Sequence, residues 1–377
     1  MKKSKIRLFG VMFLAVVLSL TMVACGGGGG NAGGGGESTD ANTGDAAGGD
    51  TALNVLCFQG YTEEEWVRPF EEATGIKVNV SYAGTVEEMF TKAAAGGVEY
   101  DVVSIDCGSV QRYYDSGIID PIDQSKILNY DKLSGFFKDH EYKIINGEMY
   151  HVPMCWAANV AVYNKGEVGE LPNTWSVLWD PQYKDQVSIT DESNNNVTMA
   201  AISLGFPDPY NLDDEQFAAV KDRLIEIARN CRTFTNGFDN EIQLLSTGET
   251  FISVSGYDSG LIMNLRDEHE MEVGRQMPEE GIYVWIDGWV MLKDAANPEA
   301  AHKWMDWMLS DESQKALAEM MQFGAVTPAA VDALDPDVVR LTSYDNIDNI
   351  EVPVFVMKDA EDFDKRAELW NEVKASL

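Results

Sequence analysis

Two spacings of apolar residues alternate along the first half of the chain. The run at 52–58 is short and apolar, as a buried strand requires, and 76–80 (Ile-Lys-Val-Asn-Val) and 101–105 (Asp-Val-Val-Ser-Ile) read as two further strands. Between them the spacing becomes helical. Thr62-Glu63-Glu64-Glu65 has the form of a capping box opening a helix toward Thr74; Pro69 should kink or delay that helix, and Gly75 should end it. A second helix is predicted over 86–95, ahead of Gly96-Gly97. Strand–helix units at this spacing imply a parallel sheet covered on both faces, with ligands beyond the carboxyl ends of its strands, here 58–61 and 106–109.

The middle of the chain repeats this grammar, which predicts a second lobe. Strands are expected at 160–163 and 187–190, helices near 197–204 and 215–229, and a further strand at 251–254 that runs into Ser255-Gly256-Tyr257-Asp258. The loop 191–196 (Asp-Glu-Ser-Asn-Asn-Asn) lies at a strand's carboxyl end, where Asn and Ser commonly cap helices; Glu192 fits that explanation less well. Farther on, Asn297-Pro298-Glu299 starts a helix with Asn as cap and Pro in the first position. Trp304, Trp307 and Met308 then fall at helical spacing and read as core filling. Residues 324–328 read as a turn, and a final amphipathic helix is expected from about Asp359 to the end.

The stretch 280–291 holds the densest candidate chemistry. Alternation places Tyr283, Trp285, Asp287 and Trp289 on one face of a strand and Val284, Ile286 and Val290 on the other. A carboxylate among aromatic rings is costly to bury unless something neutralises it or hydrogen-bonds to it. A small ammonium ligand would do both, with the rings attracting the cation. The alternative is structural, with Asp287 accepting backbone amides near a strand end while the tryptophans fill a core.

The N-terminus has a different character. Lys2, Lys3, Lys5 and Arg7 precede an apolar run over 8–24 that is near the lower limit for a membrane span. Met22-Val23-Ala24-Cys25 resembles the bacterial lipobox, which implies a secretory leader at 1–24, cleavage before Cys25 and lipidation of its thiol. Residues 25–51 carry no large apolar side chain after the cysteine and read as a flexible Gly-rich tether. The body from about Thr51 is long enough for two lobes. With 62 Asp and Glu against 28 Lys and Arg, the net charge of −34 disfavours nucleic acid as a partner. Such charge permits a cationic ligand, although most of it is a solvated exterior. Cys57, Cys107, Cys155 and Cys231 allow three disulfide pairings or none, and they lack metal-site spacing.

Several stretches together resemble the bacterial spermidine/putrescine-type solute-binding lipoproteins that feed ABC importers. These are 70–78 (Phe-Glu-Glu-Ala-Thr-Gly-Ile-Lys-Val), 100–103 (Tyr-Asp-Val-Val), 175–184 (Trp-Ser-Val-Leu-Trp-Asp-Pro-Gln-Tyr-Lys) and Trp285-Ile286-Asp287. The first three mark fold more than ligand. The resemblance implies an α/β, two-lobed periplasmic-binding-protein architecture of type II, in which each lobe is a mixed, mostly parallel sheet flanked by helices and the ligand cleft lies between lobes. It implies a first lobe of 52–156 plus 286–331 and a second of 161–281 plus 338–377. It also implies a monomer on the outer face of the cell membrane, with a small cationic solute as ligand, an ABC permease and its ATPase as partners, and neither cofactor nor metal.

Residue by residue, Asp287 matches the family's amine-anchoring Asp, Trp285 its platform ring and Tyr61 a cleft Tyr, while Phe58 falls where a Trp is usual. Glu192 matches an acid at the far end of the site and Asp258 an Asp of putrescine-type members. Asn195 replaces a second acid, Ser255 a Trp, Ala325 a common Tyr and Asp106 a usual Ser. These departures count against spermidine and leave putrescine or another small di-cation. Other solutes remain open at this level: another organic cation, a sugar, an amino acid or a metal complex. A surface hydrolase using paired carboxylates such as Glu192 and Asp287 is the rival class, but the chain has no Gly-x-Ser-x-Gly, His-Glu-x-x-His or phosphate loop.

Overall fold

The computed structural model describes residues 52–95, 100–342, 344, 346–358, 360 and 362–377. The expected leader, the expected lipidation site Cys25, the expected tether, Gly96-Gly97 and position 359 lie outside the described residues. No described helix is long and apolar enough to cross a membrane.

Two parallel sheets are joined by two long antiparallel strands. Ala52–Cys57 pairs in parallel with Lys77–Tyr82 on one side and Val102–Asp106 on the other. At the far end of the same path Val187–Thr190 lies parallel to both Ile252–Ser255 and Cys231–Thr235. The join consists of Ile282–Leu292, antiparallel to Val102–Asp106, and Val152–Asn164, antiparallel to Ile282–Leu292 and to Ile252–Ser255. The second of these is 13 residues long, much longer than the expected 160–163, and it too is apolar and buried almost throughout.

Along Ile282–Leu292 the predicted alternation carries one face through three environments. Tyr283 is buried in a core with Val187 and Val254, while Trp289 is buried in another, edge-on to Trp304 with ring centroids 5.5 Å apart. Between them Trp285 and Asp287 face a cavity. The ladder to Val152–Asn164 slips at this point: Cys155 stands opposite Asp287 and Pro153 opposite Gly288, leaving Met154 as a bulge. Gly288 is required here, because a Cβ would lie 2.1 Å from the Val152 carbonyl oxygen.

Helices cover both sheets. Trp66 and Phe70 of Glu64–Thr74 pack with Trp304 of Pro298–Met308 on the first core, and Met308 fills the same core. Pro69 does not interrupt Glu64–Thr74, and Gly75 closes that helix in the left-handed conformation, its N–H bonded to Glu71 O. The capping box does not form. Glu63 takes the cap position without a side-chain bond, and Thr62 is buried, with its hydroxyl bonded to Tyr82 Oη at 3.3 Å. Residues 324–328 also differ from expectation. Gly324–Ala325 pairs with Trp156 and Cys155 as a short strand before the Pro328–Ala333 helix, a long-range contact that local turn chemistry does not encode. The C-terminal part serves both cores: Ile347 and Val356 pack in the first, while Leu369, Trp370 and Val373 of Phe363–Ala375 pack in the second. Cys57, Cys107, Cys155 and Cys231 are all free, so none of the possible pairings is made.

Candidate functional site

The ends of the central strands bring two carboxylates together. Asp287 and Asp106 are direct partners across the antiparallel ladder, in a cavity of about 620 Å³. Asp287 is 8% exposed and accepts a short hydrogen bond from the Tyr61 hydroxyl. Burial, then the neighbouring Asp106, pushes the Asp287 carboxyl up to about 7, against the lowering effect of the Tyr61 bond. Burial and the Asp287 charge hold the Tyr61 hydroxyl well above its usual range, so it remains a donor. Asp106 is held by its own turn: Ser109 N and Ser109 Oγ donate to its carboxylate at 3.1 and 2.6 Å. Both carboxylates are therefore fixed before any ligand arrives.

Aromatic rings wall the same end. The Trp285 indole N–H donates to Gly256 O at 2.7 Å, which locks the ring on the cavity surface, and Phe323 meets it edge-on at 5.1 Å. Phe58 lines the cavity and meets Tyr61 edge-on at 6.0 Å. A cation near Asp287 would thus have a carboxylate pair and π faces within one enclosure.

The opposite wall comes from the start of the Ser193–Ser203 helix. Glu192 is its N-cap, accepting Asn195 N at 2.7 Å, and burial raises its carboxyl above the usual range. The cap reading and the ligand reading of this loop therefore both hold for Glu192, since a capping carboxylate also lines the cavity beside Asn194 and Asn195.

Two candidates lie elsewhere. Asp258 is fully buried and bound to Arg275 at 2.7 Å and to the Tyr344 hydroxyl at 2.7 Å, so its charge is spent inside the protein and it does not line the cavity. Ser255 is buried and accepts Tyr257 N at 3.1 Å. Tyr61 is also set back from the surface and acts through Asp287. Phe58, Asp106, Glu192, Asn195, Trp285 and Asp287 are brought together. Sequence reasoning missed Glu87 and Arg112, paired at the rim, and Met357, Lys358 and Phe363 from the C-terminal segment. The acid–base pair is 25 residues apart, and the C-terminal segment reaches the cavity through long-range pairing with Ile282–Leu292, so no local pattern marks any of them.

Chemically the site suits capture of a cation. The described residues include no group of three or more His, Cys, Asp or Glu side chains that could hold a metal ion. Nor does the cavity bring Ser, Cys or His together as a nucleophile and base.

Residues 65–343 match the model of the bacterial extracellular solute-binding proteins. The putrescine/cadaverine-binding protein of Pseudomonas aeruginosa is 25% identical over 340 residues, covering 85% of this chain and 93% of its own length. The spermidine/putrescine-binding periplasmic protein of Escherichia coli is 26% identical over 306 residues, covering 79% of this chain and 85% of its own. Among solved structures, the spermidine/putrescine ABC transporter substrate-binding protein of Streptococcus pneumoniae superposes with a TM-score of 0.76 at 23% identity, over 86% of this chain and 99% of its own. The fold is the same two-lobed periplasmic-binding-protein architecture.

Proposed function

The chain belongs to the bacterial extracellular solute-binding proteins, and from that premise we propose that it captures a small polyamine, putrescine before spermidine, and delivers it to an ABC permease and its ATPase. One observation carries the choice of ligand: Asp106 and Asp287 oppose each other inside an aromatic cavity, and the group held against Asp287 is the neutral Tyr61 hydroxyl. A primary ammonium placed between them would relieve their repulsion and replace the water that burial has removed. Trp285 would lie along the alkyl chain, and Glu192 and Asn195 would receive the far end. The names of the relatives support this reading without carrying it, since each is about a quarter identical.

The family is extracytoplasmic and is not an enzyme family. The finer picture is part of the proposal: a monomer anchored through Cys25 to the outer face of the cell membrane, tethered by 25–51, with lobes at 52–156 plus 286–331 and 161–281 plus 338–377. Closure of the lobes over the amine would present the loaded form to the permease. Titration calorimetry of the mature chain with putrescine, cadaverine, spermidine, a neutral sugar and 4-aminobutyrate tests the ligand. Saturable binding of the diamines, lost in Asp287→Asn, is the expected result; binding of the sugar or the amino acid alone would overturn the proposal.

A further inference from the structure

The far wall of the cleft is built from segments distant in the chain, and one buried cation joins them. Glu192, Asn194 and Asn195 reach the cavity from the start of the Ser193–Ser203 helix, and Phe363 from the start of Phe363–Ala375. Arg366, near the start of that second helix, is fully buried and does not itself line the cavity. Burying a guanidinium is costly unless its donors are used. Here Nε donates to Asp362 at 2.7 Å, Nη1 to Asn194 Oδ1 at 3.1 Å and to Thr198 Oγ1 at 3.2 Å, and Nη2 to Pro209 O at 2.8 Å. One side chain thus ties the first two turns of Ser193–Ser203 to the C-terminal helix and to Pro209. Because a guanidinium only donates, Asn194 must turn its oxygen toward Arg366, which fixes the orientation of that side chain at the cavity surface.

Arg366 acts on Glu192 as well as on the helix that carries it. Burial raises the Glu192 carboxyl, while the backbone N–H groups of Asn195 and Asn194 and the Arg366 charge work in the opposite direction. The side chain that places the far wall therefore also favours the charged form of the acid on it. Its ion pair with Asp362 offsets the repulsion that a cationic ligand would otherwise feel from behind the wall.

We propose that Arg366 is a positioning residue for amine capture, holding the first turns of Ser193–Ser203, and with them Glu192, where the second ammonium of a diamine arrives. This rests on the amine-binding reading above and deepens it, because it separates the two ends of the site. Asp287 and Asp106 are held by neighbours at their own end, Tyr61 and Ser109, whereas the far end depends on a cation outside the cavity.

Titration calorimetry of the mature chain with putrescine tests this, with thermal unfolding as the check on folding. Wild type is compared with Arg366→Lys and with the paired Arg366→Met/Asp362→Asn, each also in a Glu192→Gln background. Arg366→Lys keeps the charge without the planar fork that reaches all four acceptors. The paired variant leaves neither charge stranded in the interior, so it should fold. It should bind putrescine about tenfold more weakly than wild type, the size of one charge-assisted contact, and Arg366→Lys should lose less. In the Glu192→Gln background the same changes should cost little further, because the acid that they position is already gone. Wild-type affinity in every folded variant overturns the proposal. So does a loss of equal size with and without Glu192, which would mean a general loosening of the fold. Failure of the wild type to bind putrescine overturns the amine reading and this proposal with it.

Discussion

Asp106 and Asp287 face each other across adjacent antiparallel strands, side chains on the same cavity. Like charges at directly opposed positions destabilise a sheet, and burial of Asp287 adds to the cost. A ligand-free protein that keeps this pair is holding an interaction that only a cation completes. The position is thus one where stability and function oppose each other.

Asp287→Asn should separate the two. The amide keeps an acceptor for the Tyr61 hydroxyl and removes the charge. Asp287 has a folded value of about 7, above its ordinary 3.8, so its contribution to stability is complete below about pH 4 and is lost as pH rises through 7. Thermal unfolding of the ligand-free variant should therefore show a higher midpoint than wild type at pH 8, a smaller gain at pH 5 that vanishes below about pH 4, and no response to putrescine. Glu241, also pushed up to about 7 by burial, has the same sign in both proteins and cancels in the comparison. A variant less stable than wild type at pH 8 would mean that the carboxylate is satisfied in the free protein.

Amine affinity should depend on pH through the same group. The ammonium requires ionised Asp287, so the dissociation constant should rise as pH falls below about 7, approaching tenfold per pH unit. Binding near neutrality should also release protons, which titrations in buffers of different ionisation heat would register. Tyr61→Phe removes the hydrogen bond that lowers the Asp287 value, and it should move this midpoint upward. A flat profile between pH 5 and 8 would remove Asp287 from the binding step.

Trp285 can be tested by ring and by hydrogen bond. Trp285→Phe keeps a π face and loses the N–H bond to Gly256 O, while Trp285→Leu loses both. If the ring attracts the cation, Leu should weaken putrescine binding by about 1–2 kcal/mol and Phe by less. Equal losses would assign the effect to the lost hydrogen bond and the positioning of the ring.

How much of this was legible in the chain depends on how local each signal was. The strand at 282–292 followed from period-two alternation, and its aromatic and acidic face named Trp285 and Asp287 correctly as neighbours. The same alternation could not separate Trp289 from them, because position along the strand, rather than face, sends Trp289 beneath Trp304. The length of Val152–Asn164 was hidden because a strand buried on both faces has no polar positions to mark its period. The failed capping box at Thr62 shows the opposite error, a local motif overridden when the fold buries the hydroxyl against Cys57 and Tyr82. Asp258 was beyond sequence reasoning for a third reason. Its partners stand 17 and 86 residues away, and nothing near it in the chain marks Arg275 as its counter-ion.

That last pair yields a prediction that distinguishes the folded protein from its resemblance to putrescine-type relatives. Arg275 binds Asp258, lies 3.5 Å over the Tyr344 ring and donates to Leu341 O and Arg340 O, so it ties the helix at 258–267 to the helix at 336–342 and to Tyr344. The Asp258 side chain is 1% exposed and that of Arg275 13%, and removing one partner strands a buried charge, typically costing about 3 kcal/mol. Asp258→Asn should therefore lower the thermal midpoint clearly while leaving putrescine affinity within about twofold, given no new contact with the cavity. Arg275→Met should cost stability similarly, also without a large change in affinity. If Asp258→Asn instead retained stability and lost the amine, Asp258 would have to turn from Arg275 into the cleft when ligand binds.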